Sequence, residues 1–460
     1  MNNYTPLQSL LSVNRPADYP LVEHDQMMLT WGDWKKRVAQ WRKSLRGVSG
    51  SRVALYCDDS FEFSAMLYAI WAEGKVACVP GSNLPEVTKQ LSQRVDAFIG
   101  EFNDVDCLQC TPDGVDSAIP DSGNVTLDES KMVLEVFTSG SSGEPSAISK
   151  ELSQLNSEVH NLYRVWGDAL QGAVVLGTVS HHHIYGMLFR VFLPLAAGLR
   201  FYPEICEFFE DVQRIAVQYK IIALISSPTH LTRIPDADWQ EIRDRCVAIY
   251  SSGAPLPAEG SADSREKFGL SPYEVFGSSE TGGIAWRQQS VASDVFWQPF
   301  PGIDVSIDAS SQCLSIQSPY LPAALRNSWY VTPDMAVLDE HNHFQLKGRA
   351  DSIVKVEGKR VSLTDVELRL KKHEWVQASK LLLLDGRRTQ LGAVVELSSA
   401  GQQMLAQKGK RHINQTLQNF LAEQFDRPVL PRRWRYCERM PYTSQGKLVR
   451  ATLLALFEEK

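Results

Sequence analysis

The chain has 460 residues, enough for two or three domains with sizeable cores. Apolar residues make up 43% and charged residues 22%, ordinary values for a globular protein, and no apolar run reaches the roughly 18–20 residues a membrane span needs. The net charge is −7 but uneven: residues 352–460 carry 20 Lys and Arg against 11 Asp and Glu, an imbalance that suits a polyanionic ligand, an acidic protein or a solvated basic face; no nucleic-acid partner is expected.

The first twenty residues lack the basic-then-apolar pattern of a signal peptide, so a cytoplasmic location is expected. In 28–48, Trp31, Trp34, Val38, Trp41 and Leu45 fall at three- and four-residue spacings, which predicts an amphipathic helix with Thr30 as its cap. Short apolar strands are expected at 52–56 and 76–79, with an apolar helix at 63–73 between them. Strand alternating with helix argues a parallel α/β sheet. Residues 111–130, rich in Asp, Ser, Gly and Pro, read as an exposed loop. Cys107 and Cys110 form a CxxC, but no second pair is spaced to complete a zinc site, and free thiols are expected.

Further strands are expected at 132–137, 174–177, 221–225, 247–251 and 274–276, each ending near a turn or a polar motif. In open α/β sheets ligands sit beyond the carboxyl ends of the strands. Ile303, Val305 and Ile307, then Leu314 and Ile316, alternate with period two and predict a small antiparallel unit. The expected architecture is α/β: a large N-terminal domain over 1–348, followed by a separate C-terminal domain over 352–460 that mixes short strands and helices.

One segment overlaps the end of an apolar strand: Val136-Phe137-Thr138-Ser139-Gly140-Ser141-Ser142-Gly143-Glu144-Pro145. Its glycines let the backbone curl, and its hydroxyls and N–H groups can cradle phosphate oxygens. It is not a Walker A loop, because no Gly-Lys-Ser/Thr follows. FTSGSSGEP resembles the phosphate loop of the acyl-CoA synthetase, adenylation-domain and luciferase superfamily. Further stretches match that family in the same order: SHHHIYG (180–186), SSGAPLP (251–257), VFGSSETGG (275–283), WYVTPD (329–334), GRADSIVKVEGKRVSLTDVE (348–367) and PYTSQGK (441–447).

The resemblance implies an ATP-dependent ligase that activates a carboxylic acid, aryl or fatty, as an acyl-AMP and passes it to a thiol. It implies that Thr138, Ser139, Gly140, Ser141, Ser142 and Gly143 hold phosphates. Gly253, Ala254, Pro255, Phe276, Gly277 and Ser279 would surround the nucleotide, with Asp334 on the ribose hydroxyls and Arg349 near ribose and phosphate. Glu280 would be the Mg²⁺ ligand, a hard oxygen donor suited to that ion. His183, Ser252, Gly253 and Gly277 would line the acid pocket. Lys447 would meet the carboxylate and α-phosphate, Asp351 would be the hinge within 349–351 that joins a large multi-sheet N-terminal domain to a small mobile α+β C-terminal domain, and Gly358 would line the thiol tunnel. The implied cofactors are ATP and Mg²⁺, with CoA or phosphopantetheine as acceptor. Arg432, Arg433, Arg435 and Arg439 near Lys447 favour the phosphopantetheine arm of an acidic acyl carrier protein over free CoA.

Three residues depart from the family pattern. Ser146 stands where the loop usually carries Lys, and Lys150 is expected to supply that charge at longer reach. Pro333 replaces the Gly of Thr-Gly-Asp, and Phe276 replaces Tyr while keeping a ring for stacking. Two other readings are a stand-alone amino-acid adenylation domain, whose usual pocket Asp has no counterpart between Ser180 and Phe276, and a non-catalytic adenylate-binding protein. Retention of Glu280 and Lys447 argues against the second.

Overall fold

The computed structural model describes residues 4–24, 27–110, 125–139, 145–289, 296–356, 359–384, 390–442 and 448–458. The helix Trp31–Leu45 buries the five residues that its spacing selects. Asp33 N–H donates to Thr30 Oγ1 and Thr30 N–H donates to Asp33 Oδ2, a reciprocal cap that satisfies two otherwise orphaned donors. Its partner, helix Ser60–Ala72, is buried almost all round, and Trp34 Nε1 donates to Ser64 Oγ at 2.9 Å between the two.

Strands β1 (Pro20–His24) and β2 (Met27–Thr30) form an antiparallel pair. Strands β3 (Arg52–Tyr56), β4 (Val76–Val79), β5 (Ala97–Gly100), β6 (Cys107–Leu108), β7 (Met132–Ser139) and β8 (Pro145–Glu151) form one sheet in the order β6-β5-β3-β4-β7-β8. Its pairs from β6 through β7 are parallel. A second sheet contains β9 (Val174–Gly177), β10 (Arg200–Phe201), β11 (Ile222–Ser226), β12 (Cys246–Ser251), β13 (Tyr273–Ser278), β14 (Gly282–Gln288) and β15 (Gln298–Pro299), ordered β10-β9-β11-β12-β13-β14-β15. Strands β10 through β13 run parallel, whereas β14 and β15 are antiparallel. Every residue of β9 and β11 is buried, as expected of parallel strands covered on both faces.

Contacts divide the chain into two compact units. The first comprises Met1–Thr138, Pro145–Asp304 and Gln317–Trp329; the second contains Val305–Ile316 and Tyr330–Lys460. The small antiparallel sheet of β16 (Asp304–Ile307), β17 (Cys313–Gln317), β18 (Tyr330–Leu338) and β19 (Phe344–Arg349) is therefore grouped largely with the C-terminal part, earlier than residue 348. The second unit adds the pair β20 (Ile353–Val356) and β21 (Lys359–Ser362), and the sheet β22 (Val376–Leu384), β23 (Gln390–Leu397) and β24 (Arg433–Cys437). Ile413, Leu417 and Leu421 of helix Ser399–Ala422 share its core with Val366, Leu370 and Trp434.

All eight cysteines are free, including Cys107 and Cys110. Among the described residues no helix is long and apolar enough to cross a membrane.

Candidate active site

In the first unit, three of the singled-out segments follow the carboxyl ends of parallel strands in one sheet. Ser180–His183 follow β9, Ser252–Pro255 follow β12, and Ser279–Glu280 follow β13. A shared strand direction puts these segments at one edge of the sheet, where such folds bind ligands.

The segment after β12 is an exposed turn at Gly253, Ala254 and Pro255, with Gly253 at φ +91°, where a side chain would be strained. Ser252 Oγ donates to Val275 O at 2.8 Å, tying the turn to β13. Below it, buried Glu274 accepts from Leu256 N–H, from two nitrogens of Arg287 and from Gln289 Nε2. A fully hydrogen-bonded buried carboxylate of this kind is a rigid anchor. Phe276 is half-buried and its ring lies 5.5 Å from that of Trp297.

Glu280 is exposed on the tight turn that joins β13 to β14. Ser278 and Thr281 lock this turn with reciprocal bonds: Ser278 N–H to Thr281 Oγ1 at 3.1 Å, and Thr281 N–H to Ser278 Oγ at 3.2 Å. A Cβ on Gly277 would lie 2.1 Å from Gly282 O, so no side chain fits there. Among the described residues no cluster of three or more His, Cys, Asp or Glu could hold a metal ion alone. A single outward carboxylate nevertheless fits Mg²⁺, which usually takes one or two protein carboxylates alongside waters and substrate phosphates.

The three consecutive histidines do different work. His181 and His182 are buried and clamp the backbone of one residue, Cys57, through its N–H and its C=O. Cys57 N–H donates to His182 Nε2 at 3.3 Å, which puts the His182 proton on Nδ1, facing Ser180 Oγ at 2.8 Å. His181 is the opposite tautomer: Nε2–H donates to Cys57 O at 2.8 Å, and Nδ1 accepts from Arg190 at 3.3 Å. His182 also stacks on Tyr56 at 3.8 Å. Burial, then the charges of His183 and Arg190, pushes His182 down to about 3. Burial likewise holds His181 well below the ordinary imidazole value. His183 is left partly exposed as the N-cap of the short helix Ile184–Met187.

A pH effect follows from this clamp. Below about pH 6.5 the unfolded chain protonates His182 while the folded chain does not, so the unfolded state binds more protons. The clamp's contribution to stability is therefore complete above about pH 6.5 and declines as the pH falls towards 3. Denaturant midpoints of His182→Asn should show a shallower acid slope than wild type, and identical slopes would refute the assignment.

Lys150 lies elsewhere than expected. It is 2% exposed, and its Nζ donates to Glu280 O at 3.1 Å. Burial lowers its pKa, while the charges of Glu158 and Glu280 oppose that shift. The ammonium is thus held beneath the Glu280 turn and is not a free arm reaching towards phosphates. Thr138 and Ser139 end β7. Gly140, Ser141, Ser142, Gly143, Gly358 and Lys447 lie outside the described residues.

The second unit brings together Asp334 on β18 and Arg349 on β19. They are register partners, with Arg349 Nη1 3.9 Å from Asp334 Oδ1. Buried Thr332 accepts Asp334 N–H at 3.2 Å and donates to Leu314 O at 2.9 Å. Pro333 cannot donate to a ladder, and it falls where the pairing is irregular: register shifts follow Cys313 on one side and Asp334 on the other. Asp351 lies in the 3₁₀ turn Ala350–Ser352. Of the four arginines near residue 447, Arg433 donates to Phe457 O and Arg435 to Leu456 O, which caps the carboxyl end of helix Arg450–Glu458. Arg432 and Arg439 are exposed.

The structure also shows residues that sequence reading missed: the Glu274 anchor, Arg190, and Glu158, the buried charge opposite Lys150. Glu158 carries the one visible signal, a charged residue beside Leu155, Val159 and Leu162 on the buried side of helix Leu152–Trp166.

Residues 11–313 match the family model described as AMP-binding enzyme. The mouse mitochondrial acyl-coenzyme A synthetase ACSM3 is 24% identical over 359 residues, 70% of this chain and 60% of that protein. The chain thus spans under two thirds of the length of this relative. The 4-coumarate–CoA ligase of Cereibacter sphaeroides is 26% identical over 327 residues, 70% of this chain and 72% of that one. The ATP-bound structure of MatB from Rhodopseudomonas palustris superposes with a TM-score of 0.75 at 16% identity, covering 98% of this chain and 99% of that one, and so shares its fold. With the family model matching well over half of its length, the chain belongs to the AMP-binding enzyme family.

Proposed function

We propose that the protein is an AMP-forming acid–CoA ligase of the cytoplasm that activates an aryl or fatty acid. The observation that carries this reading is the convergence of His183, the Ser252–Pro255 turn and Glu280 at one edge of a parallel sheet. Family membership and the names of the relatives support it.

In the first half-reaction a carboxylate oxygen of the acid attacks the α-phosphorus of ATP and pyrophosphate leaves. The reaction brings anions together, so positive charge and preorganised donors carry the catalysis. Magnesium bound with ATP would neutralise phosphate charge, and Glu280 would hold it on the protein side. The Gly253–Pro255 turn and the Phe276 ring flank the nucleotide base. Asp334 accepts the ribose hydroxyls while Arg349 lies beside the phosphate. The Thr138–Gly143 loop donates to phosphate oxygens. His183 separates the nucleotide from the acid, and Lys447 bridges the carboxylate and the α-phosphate. In the second half-reaction the second unit turns about Asp351. The thiol of CoA enters past Gly358 and attacks the acyl carbon, the bond to the AMP oxygen breaks, and the thiol proton passes to solvent.

CoA is the acceptor in this reading. The case for a carrier protein rested on four arginines, and Arg433 and Arg435 are committed to a helix end. A screen of pyrophosphate release across aryl and fatty acids, with CoA or phosphopantetheinylated carrier as acceptor, tests both points. Turnover with CoA that changes little with salt is expected. A carrier with far higher kcat/KM that falls steeply as the Debye length shrinks from ~30 to ~8 Å would restore the carrier. Failure of every acid to release pyrophosphate would favour a non-catalytic adenylate binder.

A further inference from the structure

Beneath the Glu280 turn the first unit buries two opposite charges that the reaction steps leave unused. Lys150, near the end of β8, is 2% exposed, and Glu158, inside helix Leu152–Trp166, is 4% exposed. Lys150 Nζ donates to Glu280 O at 3.1 Å, and Glu158 Oε1 accepts Gly283 N–H at 2.6 Å. The two contacts grip the backbone on either side of Thr281 and Gly282, and Thr281 is itself locked to Ser278. The helix that supplies Glu158 is pinned in turn: Gln154 Nε2 donates to Tyr320 O and Asn161 Nδ2 to Tyr320 Oη, both at 2.6 Å. Removing two ions from water is costly, and packed apolar residues would often serve stability as well. Spending the pair on one turn makes sense where the conformation of that turn matters.

We propose that Lys150 and Glu158 are positioning residues that fix the 278–283 turn so that the Glu280 carboxylate is presented outward to the magnesium–nucleotide complex. The proposal rests on the reading of Glu280 as the magnesium-side carboxylate. Lys150 then acts on the ion through the backbone of the residue that holds it. Groups that orient a metal ligand typically influence metal affinity by about 10–100-fold.

The test separates positioning from simple stability. Lys150→Met alone leaves Glu158 buried without its opposite charge and should lower the melting temperature. The double variant Lys150→Met/Glu158→Gln removes both charges yet keeps an acceptor for Gly283 N–H, so it should melt near wild type while still lacking the bond to Glu280 O. Binding of ATP is measured calorimetrically without acid, with magnesium and with chelator. The folded double variant is expected to bind MgATP about tenfold or more weakly and metal-free ATP as wild type does. Wild-type MgATP affinity in that variant would overturn the proposal. Glu280→Gln is the reference. If it weakens MgATP binding and the double variant does not, positioning fails alone. If Glu280→Gln leaves MgATP binding unchanged, the reading of Glu280 fails and the proposal falls with it.

Discussion

Lys447→Ala is expected to lower acid-dependent pyrophosphate exchange by about 10²–10³-fold while leaving ATP binding close to wild type. The lysine stands in PYTSQGK, where Tyr442 near the start of the motif and Leu448 just after it pair as an antiparallel bridge. A cation that meets the charge developing between carboxylate and α-phosphate acts mainly in the transition state, so its loss falls on kcat far more than on ATP affinity. Pre-steady-state exchange with a saturating acid measures the first number and calorimetry the second. Exchange within a few-fold of wild type would remove Lys447 from the mechanism.

The largest expected effect on stability comes from Arg190→Met. Arg190 is 1% exposed, and its guanidinium is held by peptide oxygens and an imidazole nitrogen. It donates to Val179 O at 2.9 Å, Glu204 O at 2.7 Å, Pro203 O at 3.4 Å and His181 Nδ1 at 3.3 Å. Burial lowers its pKa to about 10, which still leaves it charged at neutral pH. Methionine conserves much of the apolar stem but strands several buried acceptors at about 1–3 kcal/mol each, so a loss of at least about 3 kcal/mol is expected. Because Arg190 sets the tautomer of His181, the 179–183 segment should loosen and the KM for the acid should rise through His183. Denaturant unfolding together with acid titration checks both, and a loss below about 1 kcal/mol with unchanged KM would contradict the role.

Much of the fold was legible because periodicity and capping are local. Thr30, Asp33 and the five buried residues of Trp31–Leu45 announce that helix within one window. The strands leading into the site were readable as apolar runs bounded by turns. The two-residue strand Cys107–Leu108 was not, because it exists only through pairing with β5. Lys150 was misjudged for a related reason. Its partner is a backbone carbonyl 130 residues away, and nothing local distinguishes such a lysine from an exposed one. Arg190 reads as a stray charge in LFRVF, since its acceptors are peptide oxygens supplied by other turns. Chemical motifs survive in sequence because side-chain type sets their role, whereas the groups that hold them are chosen by three-dimensional packing.

The central claim, that the acid is activated as an acyl-adenylate, has a direct isotopic test. The enzyme is incubated with ATP, CoA, magnesium and a substrate acid labelled with ¹⁸O in both carboxylate oxygens. Attack of the carboxylate on the α-phosphorus followed by thiol displacement must leave one acid-derived oxygen in AMP, so mass spectrometry should find singly labelled AMP equal in amount to acyl-CoA. Unlabelled AMP, or ADP with label in inorganic phosphate, would contradict the account.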